Sequence, residues 1–324
     1  MSATAIAPPS RNYRVVVARF AALIVLLIVC AIFSIASPGF LGLGNIFDVM
    51  RQIALTGVVA IGETFVILTG GIDLSVGSLI ALTGVIAASL EARGTNVWLT
   101  IVLVPFLGSL VGLGMGTIVT RCRVPAFVVT LGGLEALRGL TLLYTNGTPI
   151  SPPNGFSAVF TFLGQGFFGP IPFPVIVFLT VTLVANAVLR NSRLGRYIYA
   201  IGGNPEAARL SGLAVKSITS STYAISGLCC GIGGLLLTSR LNSGDPTTAT
   251  GTELTAIAAV VIGGTSLFGG TGGVIGTLIG ATLIGVITNG LTLMNVSAYL
   301  QPVVIGSIIV IAVFIDQLAK WRQS

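Results

Sequence analysis

Apolar residues run in ten blocks along the chain, at about 17–36, 53–69, 72–90, 97–119, 124–144, 171–189, 217–238, 254–269, 273–292 and 298–315. A helix of ~20 mostly apolar residues crosses the hydrocarbon core of a bilayer, so the pattern predicts ten transmembrane helices. Two boundaries are soft. Blocks two and three meet at Gly70-Gly71, and blocks eight and nine at Gly269-Gly270-Thr271-Gly272-Gly273, so a broken helix is the alternative at each. Between blocks six and seven lies one polar stretch, 190–216, with Arg190, Arg193, Arg196, Arg209 and Lys216. Inside it, Asn204 is a good helix N-cap, Pro205 suits the first helical position and Glu206 favours the positive end of the dipole. Gly212 can end that helix about two turns later. Asn204, Pro205, Glu206, Ala207, Ala208, Arg209 and Gly212 therefore predict a short capped helix in a basic loop, a docking element for a cytoplasmic partner.

Composition agrees with an all-α integral membrane protein. Hydrophobic residues make up 54% of the 324 positions and charged ones 8%, where a soluble domain has about 25%. The net charge of +7 does not mark a nucleic-acid binder, because the cations lie between apolar blocks, where they set topology and meet anionic lipid. Ten spans put both termini on one side. With that side cytoplasmic, Arg11, Arg14, Arg19, Arg121, Arg123, the five loop cations, Lys320 and Arg322 lie inside, 12 of the 16 basic residues. That bias satisfies the positive-inside rule. The organisation expected is a cytoplasmic tail 1–16, one transmembrane domain 17–315 and a cytoplasmic tail 316–324. The first block ends Ser34-Ile35-Ala36 but exceeds the ~7–15 residues of a signal-peptide core, so it reads as an uncleaved helix. The outer loop 145–170 carries no charge and, with Tyr144, offers Phe156, Phe160 and Phe162 as apolar contacts.

The side-chain inventory points away from catalysis. With no histidine and no paired Cys spacing, neither zinc nor haem is expected; Cys30, Cys229 and Cys230 lie in apolar blocks and Cys122 in a short basic loop. No phosphate-binding Gly-x-x-x-x-Gly-Lys-Ser/Thr loop exists: Lys216-Ser217 follows Val215, and Lys320 precedes Trp321. The chain is a pathway without cofactor, and any ATP and Mg chemistry belongs to a separate subunit. A stand-alone ion-coupled transporter or channel is the competing class.

Four charges fall in or at the ends of spans and are candidates for the translocation path: Glu63, Asp73, Glu135 and Arg138. A charge at the bilayer centre costs ~2.5–3.5 kcal/mol on insertion scales, so each is expected to face protein or water. Glu135 and Arg138, three apart, can form an ion pair on one helix face, the alternative being a pathway role. Asp73 either caps the third helix or lies deeper. A proton relay through Glu63 lacks a second acid or histidine at i±3 or i±4. Glycines repeat every four residues at Gly108-Gly112-Gly116, Gly227-Gly231 and Gly272-Gly276-Gly280, which suits close helix packing or, alternatively, helices that slide. Segments 58–81 and 259–280 share an apolar-glycine pattern, a weak internal repeat.

Several longer stretches carry a family resemblance. They are Ile67-Leu68-Thr69-Gly70-Gly71-Ile72-Asp73-Leu74-Ser75-Val76-Gly77-Ser78, Leu143-Tyr144-Thr145-Asn146-Gly147, the run from Arg193 to Asn204, and that from Ala256 to Leu267. Through them the chain resembles, over nearly its full length, the permease subunits of ribose-type sugar ABC importers. The resemblance implies a type II-like permease architecture in the bacterial inner membrane and a homodimer of ten-helix subunits. It further implies two cytoplasmic ATP-binding subunits or one fused double cassette, and a periplasmic sugar-binding protein. It also implies that Glu206-Ala207-Ala208 and Gly212 belong to a coupling helix seated on the ATPase. Glu63 departs from the pattern, where an apolar residue such as Met is expected.

Overall fold

Lipid tails are as apolar as leucine, so helices in a membrane associate through close van der Waals packing and interhelical hydrogen bonds. The computed structural model, which describes residues 13–297 and 299–321, is built on such contacts. Its elements in order are α1 (Tyr13–Ala36), α2 (Leu43–Leu68), α3 (Val76–Ala92), α4 (Val97–Arg121), α5 (Ala126–Thr145) and α6 (Ala158–Gln165). A small antiparallel hairpin follows, β1 (Phe167–Phe168) with β2 (Ile171–Pro172), pairing Phe167 with Pro172. Then come α7 (Phe173–Asn191), α8 (Arg193–Gly203), α9 (Pro205–Leu210), α10 (Val215–Leu241), α11 (Thr252–Ile262), α12 (Val274–Leu293) and α13 (Gln301–Trp321). Among the described residues six helices are long and apolar enough to cross a membrane: α2, α4, α5, α7, α10 and α12. The expected tails are touched only in part, since α1 starts at Tyr13 and α13 runs to Trp321, while 1–12 and 322–324 lie outside the described residues.

The predicted glycine faces are where backbones meet. A Cβ on Gly227 would stand 2.1 Å from the carbonyl oxygen of Gly108, and one on Gly112 the same distance from that of Tyr223. These contacts join α4 to α10. A Cβ on Gly280 would come within 2.0 Å of Ala259 O, joining α12 to α11. Gly272 does not belong to that stripe: it sits in the loop before α12, with φ +123°. The helices α2, α10 and α12 are more than half buried along their apolar windows, whereas α4, α5 and α7 are less than a third buried and form the periphery.

Both soft boundaries are breaks. The third block begins only at Val76, and the eighth is reduced to the 11 residues of α11. Both α2 and α11 end in the same two hydrogen bonds. Gly71 N–H donates to Val66 O (3.1 Å) and Gly70 N–H to Ile67 O (2.9 Å); Thr265 N–H donates to Val260 O (3.2 Å) and Gly264 N–H to Val261 O (2.8 Å). Gly70 and Gly264 are the left-handed residues of these ends, with φ of +78° and +84°. The repeat is thus a helix-ending motif. Aligned from their first residues, 58 and 259, the two segments would set Gly62 against Gly263, which is out of register, since Gly62 lies within α2 and Gly263 caps α11.

The segment 145–170, expected as an outer loop, is more structured than a neutral coil. Ser157 caps α6 by accepting from Phe160 N–H, and Phe160 is fully buried with Phe156 stacked on it at 4.9 Å. Phe160 is therefore a core residue. Tyr144, Phe162, Phe167 and Phe168 are among the aromatic side chains this end exposes.

The α4–α10 contact yields a test. Gly227→Val forces a side chain into the Gly108 carbonyl, and overpacking of this kind costs about 1–3 kcal/mol or more. The amount of folded protein extracted from membranes and its thermal midpoint should both fall, whereas Gly114→Ala, with open space at its Cβ position, should leave both unchanged.

Candidate translocation route and docking loop

The polar stretch folds as its caps dictate. Asn204 Oδ1 accepts from the N–H groups of Glu206 (3.0 Å) and Ala207 (2.9 Å), and Pro205 occupies the first turn of α9. At the other end Leu213 N–H reaches Ala208 O at 3.1 Å and Gly212 N–H reaches Arg209 O at 3.0 Å, with Gly212 at φ +83°. Arg209 donates two bonds to the Glu206 carboxylate, at 3.1 and 2.5 Å. That fork holds the Glu206 carboxyl below its ordinary value and Arg209 above its own, so the pair stays charged across neutral pH and is lost only in acid. Ala208 is buried against the body of the protein, while Glu206, Ala207, Arg209 and Leu210 are exposed. A rigid helix with a polar pair and one bare leucine at its end is thus held out from the protein.

The chain runs from this end to the opposite one along α2. Leu68 receives a hydrogen bond from Gly270 near α8, whereas Arg51 donates to Gln165 O at the α6 end. At 1.5 Å per residue these two points lie about 26 Å apart, most of a hydrocarbon core. Between them sit Glu63 and Asp73, both fully enclosed. Asp73 Oδ1 accepts from Ser75 N–H (3.0 Å) and Ser75 Oγ (2.5 Å), and Oδ2 accepts from Ser226 Oγ of α10 (3.1 Å). Asp73 therefore closes the turn into α3, near the capping role, and does so deep in the protein. Glu63 Oε1 accepts the backbone N–H of Asp73 at 3.0 Å, tying α2 to the break that follows it. Tyr223 stands against Gly71 on the same side: a Cβ there would be 2.5 Å from its hydroxyl. The structure brings Glu63 and Asp73 together, and they brace the break.

Glu135 and Arg138 do not pair. Ion pairs among the described residues are Arg51–Asp48 and Arg209–Glu206. The Arg138 guanidinium instead donates to the carbonyl oxygens of Pro246 and Thr248, the latter at 3.0 Å. A guanidinium offers five donors, and two free carbonyls in an irregular segment satisfy it at short range where a flexible carboxylate one turn away does not. Glu135 is exposed on α5, one turn from the exposed Leu131.

By holding 246–248, Arg138 shapes a cavity that sequence reading missed. It has a volume of about 510 Å³, lies between α2, α3, α10 and the 248–252 segment, and is lined by Gln52, Thr56, Ile80, Arg240, Thr248 and Thr252 among others. A neighbouring one of about 330 Å³ shares Gln52 and Thr56 and adds Thr255, Thr288 and Gln301. The walls combine hydroxyls and amides with apolar patches, a chemistry that hydrogen-bonds a neutral polyhydroxylated solute while meeting its C–H faces. Val59, on its floor, lies one turn from Glu63. Uncharged Thr and Gln scattered over four helices leave no sequence motif; only folding collects them.

These contacts generate a prediction different from an ion pair. Arg138→Met should loosen 246–248 and depress transport, since a hydrogen bond to a charged group is worth ~1.5–3 kcal/mol. Glu135→Gln should be near neutral for assembly, and combining it with Arg138→Met should restore nothing. Recovery of assembled protein or uptake in the double variant would re-establish the pair.

Residues 45–313 match the family described as branched-chain amino acid transport system / permease component. The chain is 46% identical to the ribose import permease protein RbsC of Escherichia coli K12, over 91% of this chain and 92% of that one. It is 43% identical to RbsC of Bacillus subtilis 168, over 90% of each, and 39% identical to the D-allose transport system permease protein AlsC of Escherichia coli K12, over 93% and 92%. No solved structure matches. Six membrane-length apolar helices, a helix held out between two of them and this likeness over nine-tenths of the chain agree: the protein belongs to the branched-chain amino acid transport system / permease component family.

Proposed function

We propose that this chain is the permease subunit of an ABC importer for a monosaccharide, ribose or a close relative, in the bacterial inner membrane. The carrying observation is its identity with named ribose import permeases over about nine-tenths of both chains. The polar cavity supports the reading, because its hydroxyl and amide walls suit a neutral sugar. The chain itself is non-catalytic; ATP and Mg are bound by separate cytoplasmic ATP-binding subunits, two of them or one fused double cassette. A periplasmic binding protein delivers the sugar to the end bearing α6 and the hairpin.

Ten spans with both termini cytoplasmic complete the proposal, with α9 on the cytoplasmic side as the coupling helix. The functional unit is a homodimer. In its support, Glu135 stands exposed on α5 in line with the exposed Val128 and Leu131, and a charge turned to lipid is costly, so a second copy or a water-filled path between copies covers it.

Ala208→Pro tests the coupling role. Proline inside a helix costs about 3 kcal/mol and removes a backbone bond, here the N–H of Ala208 to Asn204 O. The altered importer should still insert in the membrane and hydrolyse ATP while sugar uptake falls about tenfold or more, a loss of 1.4 kcal/mol per decade. Uptake at the normal rate with the ATPase bound would remove α9 from the coupling role.

A further inference from the structure

α8 is the helix most directly joined to α9, since only Asn204 separates them, whereas residues 211–214 lead from α9 to α10. The inner face of α8 is embedded: Ile198 and Ile201 are buried, and Ile198 packs in one cluster with Leu68 and Phe65 of α2 and Val274 of α12. Beside that face three backbones touch with no side chain between them. A Cβ on Gly202 would lie 1.9 Å from Leu68 O and 2.4 Å from Gly270 N, and Gly270 N–H donates to Leu68 O at 3.0 Å. One turn earlier on α8, Tyr199 donates its hydroxyl proton to Gly272 O at 2.9 Å. Leu68 is the last residue of α2 before one break, and Gly270 and Gly272 belong to the other.

We infer that Tyr199 and Gly202 are positioning residues of the transport cycle, through which displacement of α9 is passed into both membrane breaks at once. The inference rests on the permease reading above. Side chains can change rotamer and absorb a small shift; bare backbone in contact with bare backbone cannot, so α8 moves the 68–71 and 269–273 segments with it. Beyond the junction the two routes rejoin on adjacent residues of α2. From 68–71 the chain leads to Asp73, whose N–H is bonded to Glu63; from 272–273 it leads into α12, where Thr277 Oγ1 bonds Thr64 Oγ1 at 2.7 Å. One turn above them, Val59 forms part of the cavity floor. The enclosed carboxylates then have a mechanical use: they fasten one break to the helix that borders the cavity.

The test is the number of ATP molecules hydrolysed per sugar imported, measured on the complete importer with its ATPase and binding protein in proteoliposomes. A merely structural contact lowers hydrolysis and uptake together with the amount of assembled complex, and leaves that ratio fixed. Tyr199→Phe, which keeps the ring and removes the hydroxyl bond to Gly272 O, should raise the ratio about threefold, on the scale of the population shift expected for a hydrogen bond. Gly202→Ala, in the importer that does assemble, should raise it further, because the contact admits no methyl. A wild-type ratio in Tyr199→Phe, or an assembled Gly202→Ala importer that is fully coupled, overturns the inference. Absence of ATP-dependent uptake by the unaltered importer would instead strike the permease reading itself.

Discussion

A chain that interrupts its helices inside a bilayer must give the freed backbone groups partners from within the protein. Much of this structure follows from that constraint. The breaks after Leu68 and Ile262 each close on themselves through paired turn bonds, and they are fastened to each other by Gly270 N–H on Leu68 O. Glycine is needed there for two separate reasons: Gly70 and Gly264 adopt left-handed backbone, and Gly202 lets a third backbone come into contact. The peripheral α4, α5 and α7 surround this centre, and α8 leads from it to the exposed α9.

The polar groups divide accordingly. Asp73 gathers three donors, Glu63 grips the backbone of the break, and Arg138 holds the carbonyls that border the cavity. Of the four candidate charges, Glu63, Asp73 and Arg138 fix irregular backbone and Glu135 does not. Apart from Arg240, the polar groups lining the cavity are uncharged, which fits a solute that is itself neutral and must be released on the other side. Tight charged contacts would hold it; threonine and glutamine give shorter-lived ones.

Local rules were the most legible part of the sequence. Asn204, Pro205 and Gly212 announced α9 because capping depends on residues two or three positions apart. The glycine spacings announced close-packing faces on α4 and α10 for the same reason, but not that these two faces meet each other. Reading failed where the answer lay far along the chain. Arg138 was expected to take the nearest carboxylate, yet its partners are backbone carbonyls more than a hundred positions away, a group every residue carries and no pattern marks. The breaks were visible as doubled glycines, but apolar composition made 254–269 look like a full span. Phe160 looked like a contact surface in a neutral loop because the turn of α6 that buries it spans only eight residues.

The proposal that most needs testing is that this chain conducts sugar only when driven from outside itself, by an ATPase seated on α9. Proteoliposomes holding the chain with and without its ATP-binding subunits and sugar-binding protein, each given either ATP or an imposed proton or sodium gradient, test it most directly. The account predicts accumulation of labelled ribose or a related monosaccharide with ATP and all partners present, and none from a gradient acting on the chain alone. Gradient-driven accumulation by the chain without partners would contradict it.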